Sequence, residues 1–384
     1  MKIQIVNAKI ITPNEVLMGG VCLFDAGIIS YVGLEKQEAD ETWDAKGAYL
    51  VAGFIDLHCH GGCGFDFMDA NALEMRAISR FHLRHGTTTL YATTMTDKVE
   101  VIEKALDAYA ETVDTPLTLA GVHLEGPWLN PSQCGAQDRE KMSLPSKEKL
   151  IEWKEKYPFI KRVSVAPELP QGMEVGKLGK ELGIVMSIAH TDADFDTTCK
   201  AYENGYTLAT HLYSGMKGVE RKNAFRIAGA VEGSLYTDNA FVEVIADGRH
   251  LPVSLLKYIC KVKGYDKVCL VTDGTRGSGK KNGESVILGA KDGGVYAIIE
   301  DDVAKLPDRT SFAGSVATTD RLFKVMAKQA KMDIVNVSKM VSANPAKVMG
   351  LDDRGEIAIG KRADFVLLND KLEIKKVIYK GEIV

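Results

Sequence analysis

The 384-residue sequence has no CxxC pair, no internal repeat, no low-complexity segment and no charged tail. Each absence removes a class of protein. Its seven cysteines, an odd number, stand scattered at positions 22, 59, 63, 134, 199, 260 and 269. That spacing builds no disulfide framework and fits a reducing compartment. No apolar run approaches the roughly 18 residues that a spanning helix needs, and residues 1–7 show no signal-peptide pattern. A soluble, cytoplasmic protein without membrane contact is therefore expected. Lysine and arginine number 48 against 52 aspartates and glutamates, a formal net charge of −4, which argues against a nucleic-acid partner. Hydrophobic residues at 45% and charged residues at 26% are ordinary for a globular chain, and the length leaves room for more than one domain.

What is present falls into three segments. Residues 1–48 read as short strands at 3–6, 9–11, 20–24 and 28–32, with Asp25-Ala26-Gly27 as a hairpin turn. The same texture returns at 363–368 and 375–379. Between them apolar runs alternate with helical patterns. Strands are expected at 50–57, 87–92, 117–124, 161–166, 184–188, 206–210, 241–245 and 267–271, with helices such as 73–84, 99–109, 147–157 and 255–262 between them. Eight such units predict an α/β fold, a (β/α)₈ TIM-like barrel, with a small β-sandwich-like domain formed by both chain termini. The expected division is 1–48 and 349–384 for the small domain and 49–348 for the barrel. A β-hairpin is expected to be inserted in the barrel at about 282–312.

Polar residues collect where these strands end, which is where barrel enzymes build their sites. His58 and His60 follow the first strand, Glu125 the third, His190 the fifth and His211 the sixth. His250 lies beyond the seventh and Asp273 follows the eighth. Two residues apart on a strand, His58 and His60 share a face, with Asp56 alternating onto it. A set of imidazoles and carboxylates suits Zn²⁺, with Fe²⁺ the alternative, better than a thiolate-loving ion. Glu125 is a candidate bridge between two ions, which would polarise a carbonyl and lower the pKa of a shared water. Asp273 is the candidate to take that water's proton and deliver it to a leaving group. The competing reading, polar side chains that merely solvate a barrel rim, does not account for so many separate strand ends. His82 and His85 close a helical stretch, where a cationic histidine favours the helix terminus. His123, Cys59 and Cys63 read as packing residues.

The stretches His58-Cys59-His60, His123-Leu124-Glu125-Gly126-Pro127, Thr210-His211-Leu212-Tyr213, Ile245-Ala246-Asp247-Gly248-Arg249-His250 and Val271-Thr272-Asp273-Gly274 together resemble the N-acetylglucosamine-6-phosphate deacetylase family of the amidohydrolase superfamily. The resemblance spans nearly the whole chain, including Gly360-Lys361-Arg362-Ala363-Asp364. It implies that Glu125, His190 and His211 bind the metal common to the family and that His58 and His60 complete a second site, giving one or two ions per subunit. It also implies that Asp273 is the catalytic acid/base, that His250 contacts substrate, and that the reaction releases acetate from an acetamido sugar phosphate. A homodimer is implied as well, with a basic residue crossing the interface to the phosphate.

Three departures bear on substrate. Gln137 stands in Gly135-Ala136-Gln137 where the family carries a histidine, and can donate a hydrogen bond without carrying charge. Ser214-Gly215 replaces the family's Asn-Ala, leaving backbone N–H groups as phosphate donors. The family's arginine aligns near Asn223, so Lys217, Arg221, Lys222 or Arg226 is left to supply the cation, arginine being suited to bidentate phosphate binding. N-acetylgalactosamine-6-phosphate or an unphosphorylated acetamido sugar therefore stays open as substrate. A cyclic-amide hydrolase or a deaminase is a further alternative. Against the first stands the lack of a lysine in Glu125's place; a catalytically dead scaffold is opposed by the complete ligand set.

Overall fold

The computed structural model of the protein describes residues 1–115 and 117–384. Eight strands form its central sheet in the order Phe54–Cys59, Thr87–Thr94, Leu119–Glu125, Ile160–Val165, Val185–Ile188, Tyr206–Ala209, Phe241–Val244 and Val268–Leu270. Every neighbouring pair runs parallel. The sheet closes at the strands' C-terminal ends: Asp273 N–H donates to His58 O at 2.9 Å, and His60 N–H to Gly274 O at 2.7 Å. Helices return the chain between strands. The first of them, Ala72–Arg84, starts at a capping box in which Asn71 accepts from the Leu73 and Glu74 N–H groups while Glu74 reaches back to the Asn71 N–H.

The second strand, Thr87–Thr94, is buried along its whole length. Threonine-rich β-branched sequence suits a strand packed on both faces. Ile55, Tyr91, Leu208, Phe241 and Val271 share one apolar cluster although several of their strands are not neighbours, so they meet inside the barrel.

The expectation of one strand over 50–57 is corrected. Tyr49–Ala52 belongs to a second sheet, where it pairs with Lys2–Ile11 and with Phe365–Leu368. The chain crosses to the barrel at Gly53, where a Cβ would lie 2.2 Å from Thr88 Oγ1. Only glycine allows that approach. The second sheet draws on both ends of the chain, with Phe365–Leu368 between Tyr49–Ala52 and Ile374–Tyr379. Phe24, Phe365, Ile5 and Ile10 lie in its core. The expected hairpin at 282–312 is a three-stranded antiparallel meander, Ser285–Leu288, Val295–Glu300 and Val303–Lys305.

Candidate active site

The barrel's C-terminal mouth brings His58, His60, Glu125, His190, His211 and Asp273 together. His211 Nε2 lies 2.7 Å from Glu125 Oε1 and His190 Nε2 lies 3.4 Å from the same oxygen. The other oxygen, Oε2, faces His60 Nε2 at 3.2 Å and His58 Nε2 at 3.6 Å. Two potential metal-binding groups result, Glu125–His190–His211 and His58–His60–Glu125, sharing the one carboxylate. Asp273 Oδ1 stands beside the second, 3.2 Å from His60 Nε2 and 3.4 Å from His58 Nε2.

The local backbone is bent to achieve this. His190, His211 and Asp273 have φ of +41°, +28° and +49°. Non-glycine residues rarely adopt such values, and the strain is characteristic of functional positions. Gly215 makes room for them: with φ +57°, its Cβ would sit 2.5 Å from His190 Nδ1.

The electrostatics match a cation site. Burial alone drives an imidazole toward neutrality and a carboxyl toward protonation. Burial depresses His58 and His60, yet the Glu125 and Asp273 carboxylates beside them more than offset this, raising the pair to about 9 and about 10. His190 is raised on the same balance, burial being outweighed by Glu125. Burial likewise pushes Glu125 up, but His58, His190 and His211 hold it well below the usual carboxylate range. Asp273 is lowered, against its burial, by His58 and His60.

Two further observations fit a divalent ion. His58 Nε2 and His60 Nε2 converge to 3.2 Å, an approach that a shared proton or a cation must reconcile. The donors around it are all nitrogen and oxygen, of the borderline type that Zn²⁺ and Fe²⁺ accept. The residues present therefore fit the metal that the sequence pattern calls for.

Supporting contacts fix these groups. His190 Nδ1 lies 2.7 Å from Gln133 O. Gln137 Nε2 donates to Glu125 Oε2 at 2.7 Å while its Oε1 accepts from the Thr96 N–H at 2.8 Å. Both ends of the Gln137 amide are thus engaged with the protein, although it lines the cleft. Asp56 does not join the ligands. Its carboxylate accepts from the Thr272 N–H and hydroxyl and from the His58 N–H, tying the first strand to the eighth; burial raises it to about 6. His82 is no helix-end cation: fully buried and driven down to about 4 by that burial, it places Nε2 2.8 Å from Gly61 O, behind the histidine loop. His123 packs between Ser164, 2.7 Å from its Nε2, and Thr93.

The cleft above the carboxylates measures about 170 Å³, and its lining includes Gln137, Ser214, Gly215 and His250. Asp247 Oδ2 lies 2.9 Å from His250 Nδ1, and Phe312 packs against the imidazole with the ring planes tilted by 53° and the ring centres 4.8 Å apart. Phe312 and Leu288 come from the inserted meander and its return segment, and Met95 from the end of the second strand. None of these three was legible as a site residue, because single apolar residues carry no distinguishing pattern.

Arg221, Lys222 and Arg226 are not brought into the cleft. They lie on an exposed hairpin, Glu220–Lys222 with Phe225–Ile227, in which Arg221 faces Arg226 across the register. Asn223 and Ala224 turn it with positive φ, and Phe225 at its tip is 76% exposed. Lys217 is already paired with Glu220 at 2.9 Å and Asp192 at 3.7 Å.

Comparison with known proteins agrees with this geometry. The amidohydrolase family pattern matches residues 49–384. An N-acetylglucosamine-6-phosphate deacetylase of Bacillus subtilis is 32% identical over 385 aligned positions, covering 97% of this chain and 95% of its own. An N-acetylgalactosamine-6-phosphate deacetylase of Shewanella is 28% identical, covering 96% of this chain and 91% of its own. Among solved structures, an aspartate-to-alanine mutant of the Mycobacterium smegmatis N-acetyl-D-glucosamine-6-phosphate deacetylase, in complex with N-acetyl-D-glucosamine-6-phosphate, superimposes with TM-score 0.92. It shows 27% identity, over 100% of this chain and 99% of that one. By the family match over residues 49–384 and the likeness to the Bacillus subtilis deacetylase over nearly its whole length, the chain belongs to the N-acetylglucosamine-6-phosphate deacetylase family of the amidohydrolase superfamily.

Proposed function

We propose that the protein hydrolyses the acetamide of N-acetylglucosamine-6-phosphate to glucosamine-6-phosphate and acetate. The observation that carries this reading is Asp273 Oδ1 standing 3.2 Å from His60 Nε2, beside a glutamate shared by two ligand clusters. Glu125, His190 and His211 would hold one divalent ion, and His58 and His60 with Glu125 a second; Zn²⁺ is the metal proposed, Fe²⁺ the alternative. Such an ion supplies the Lewis acidity that polarises the amide carbonyl and makes water acidic enough to attack near neutral pH.

The chain's own groups do the rest. Asp273, held ionised by His58 and His60, accepts the proton of the attacking water. A C–O bond forms at the carbonyl carbon, the C–N bond breaks, and Asp273 returns the proton to the departing amine nitrogen. His250, oriented by Asp247, and the packed face of Phe312 align the sugar. The Ser214 N–H is taken up by His211 O at 2.9 Å, so the Ser214 hydroxyl and the Gly215 N–H are proposed to receive the phosphate. Arg221 and Arg226, outside their own cleft, are proposed to reach the phosphate of a second copy in a homodimer. The seven cysteines are all free, and among the described residues no helix is long and apolar enough to cross a membrane. A cytoplasmic location is proposed on that basis.

The Shewanella relative supports a second reading, the galacto epimer as substrate. The test is acetate release, with kcat/KM compared for N-acetylglucosamine-6-phosphate, its galacto epimer and unphosphorylated N-acetylglucosamine, alongside metal analysis. The first substrate should lead. Equal turnover without the phosphate would overturn the phosphosugar assignment.

A further inference from the structure

Barrel interiors are ordinarily filled with branched aliphatic side chains, yet beneath the histidines this one holds a charged layer. Arg162, on the fourth strand, and Glu243, on the seventh, are both completely buried. All five guanidinium N–H groups of Arg162 are used. Nε donates to Ser187 Oγ at 3.0 Å, and Nη1 to Leu57 O at 3.1 Å and to Glu243 Oε1; Nη2 donates to Thr210 Oγ1 at 2.9 Å and to Glu243 Oε2 at 3.0 Å. The pair is bidentate, the geometry in which arginine fixes a carboxylate in place.

A buried ion pair is often no more stabilising than apolar residues of the same volume, so its presence invites a functional account. The further contacts of Glu243 supply one. Oε2 accepts from the His211 N–H at 3.2 Å and lies 3.5 Å from His58 Nδ1, at ion-pair distance from a buried ring nitrogen that makes no hydrogen bond. On the other side of the site Gln133 O plays the matching part for His190. One imidazole of each ligand cluster thus has an acceptor behind it, hydrogen-bonded at His190 and a carboxylate oxygen at 3.5 Å at His58, whereas Nδ1 of His60 and of His211 has no hydrogen-bond partner.

We propose that Glu243, clamped by Arg162, is the positioning residue of the His58–His60–Glu125 cluster, holding His58 as the Nδ1–H tautomer with its Nε2 lone pair on the metal. The inference rests on the two-site reading above. Carboxylates behind metal-binding histidines orient the ring and raise its basicity, and their loss costs about 10–100-fold in metal affinity. The effect should be confined to one cluster. Glu243 meets the ring of His58 but only the backbone of His211, which is also held through the Leu212 N–H to Glu243 O bond at 2.8 Å.

Two variants test this: Glu243→Gln, which keeps volume, and the charge-neutral double variant Arg162→Met/Glu243→Leu, which leaves no unpaired charge if the single change impairs folding. Metal-free protein is titrated with Zn²⁺ against a chromophoric chelator, and the Co²⁺-loaded forms are compared by their visible spectra. Wild type should take two ions per chain. Each folded variant should keep one at wild-type affinity, bind the other about 10–100-fold more weakly, and lose the matching part of the cobalt spectrum. Two ions bound with unchanged affinities, or equal weakening of both, would overturn the positioning role while leaving the two-site reading intact. A wild-type chain that takes a single ion would overturn that reading and this inference with it.

Discussion

Asp273→Asn removes the proposed proton carrier while leaving nearly everything else in place. The backbone at this position is held independently of the side chain, with Asp273 N–H donating to His58 O at 2.9 Å and Asp273 O accepting from the Ser315 N–H at 2.8 Å. Asparagine has the same shape and fits where the Asp273 side chain is 11% exposed. It cannot accept the water's proton. A positioned general acid–base contributes about 10²–10⁴-fold, or about 2.7–5.4 kcal/mol of barrier at 1.36 kcal/mol per decade. The fall should lie in kcat rather than KM, since Asp273 touches the imidazoles and not the sugar-binding side of the cleft. Metal at Glu125–His190–His211, a cluster of which Asp273 is not a member, should be retained. Steady-state acetate release with metal content measured on the same sample checks both halves. A variant within tenfold of wild type and fully loaded with metal would refute the role given to Asp273.

Other outcomes follow from the same geometry. In metal-free protein, His58 and His60 at about 9 and about 10 stabilise the fold fully below the ordinary imidazole value of about 6.5. That contribution is lost as pH rises through their folded values. The melting temperature of chelator-treated protein should therefore fall between pH 7 and pH 10 while Zn²⁺ affinity rises, because the metal displaces those protons; a flat profile in both would contradict the assigned electrostatics. Gln137→Ala strands the buried Thr96 N–H and frees Glu125 Oε2, at a cost of about 1–3 kcal/mol in denaturant melts and with weaker metal binding. A Gln137→Ala protein as stable as wild type would show the amide bridge to be dispensable. Replacing Arg221 and Arg226 by alanine should raise KM for the phosphorylated sugar by about tenfold or more, the scale of a lost hydrogen bond to a charged group, and leave the unphosphorylated sugar unaffected. An equal rise for both would remove these arginines from phosphate binding.

Much of the mouth was legible because its chemistry sits at strand ends, where an apolar run gives way to a histidine or a carboxylate. What escaped the sequence was hidden for identifiable reasons. Tyr49–Ala52 and Phe54–Cys59 read as one strand since both are apolar, and the sheet change at Gly53 depends on a close approach to Thr88 that no local pattern encodes. Arg162 in Lys161-Arg162-Val163 and Glu243 in Val242-Glu243-Val244 look like outward-facing charges. Their pairing across the barrel brings together residues 81 apart in the chain. Gln137 was read from a family comparison as a substrate contact, and its two-ended bonding to Glu125 and Thr96 required the third dimension. His82 ends a helix in sequence, but its ring is turned inward onto the histidine loop.

The second sheet has a consequence for the order in which the molecule is made. Its strand Phe365–Leu368 hydrogen-bonds to Tyr49–Ala52 on one side and Ile374–Tyr379 on the other. Tyr49–Ala52 in turn stands a single glycine ahead of the strand that carries His58. During synthesis the N-terminal ribbon must wait, one edge bare, until some three hundred further residues have left the ribosome. A ribosome-stalled chain ending before residue 365 should therefore present that edge to proteases and chaperones. Sealing it braces the root of the strand that carries His58.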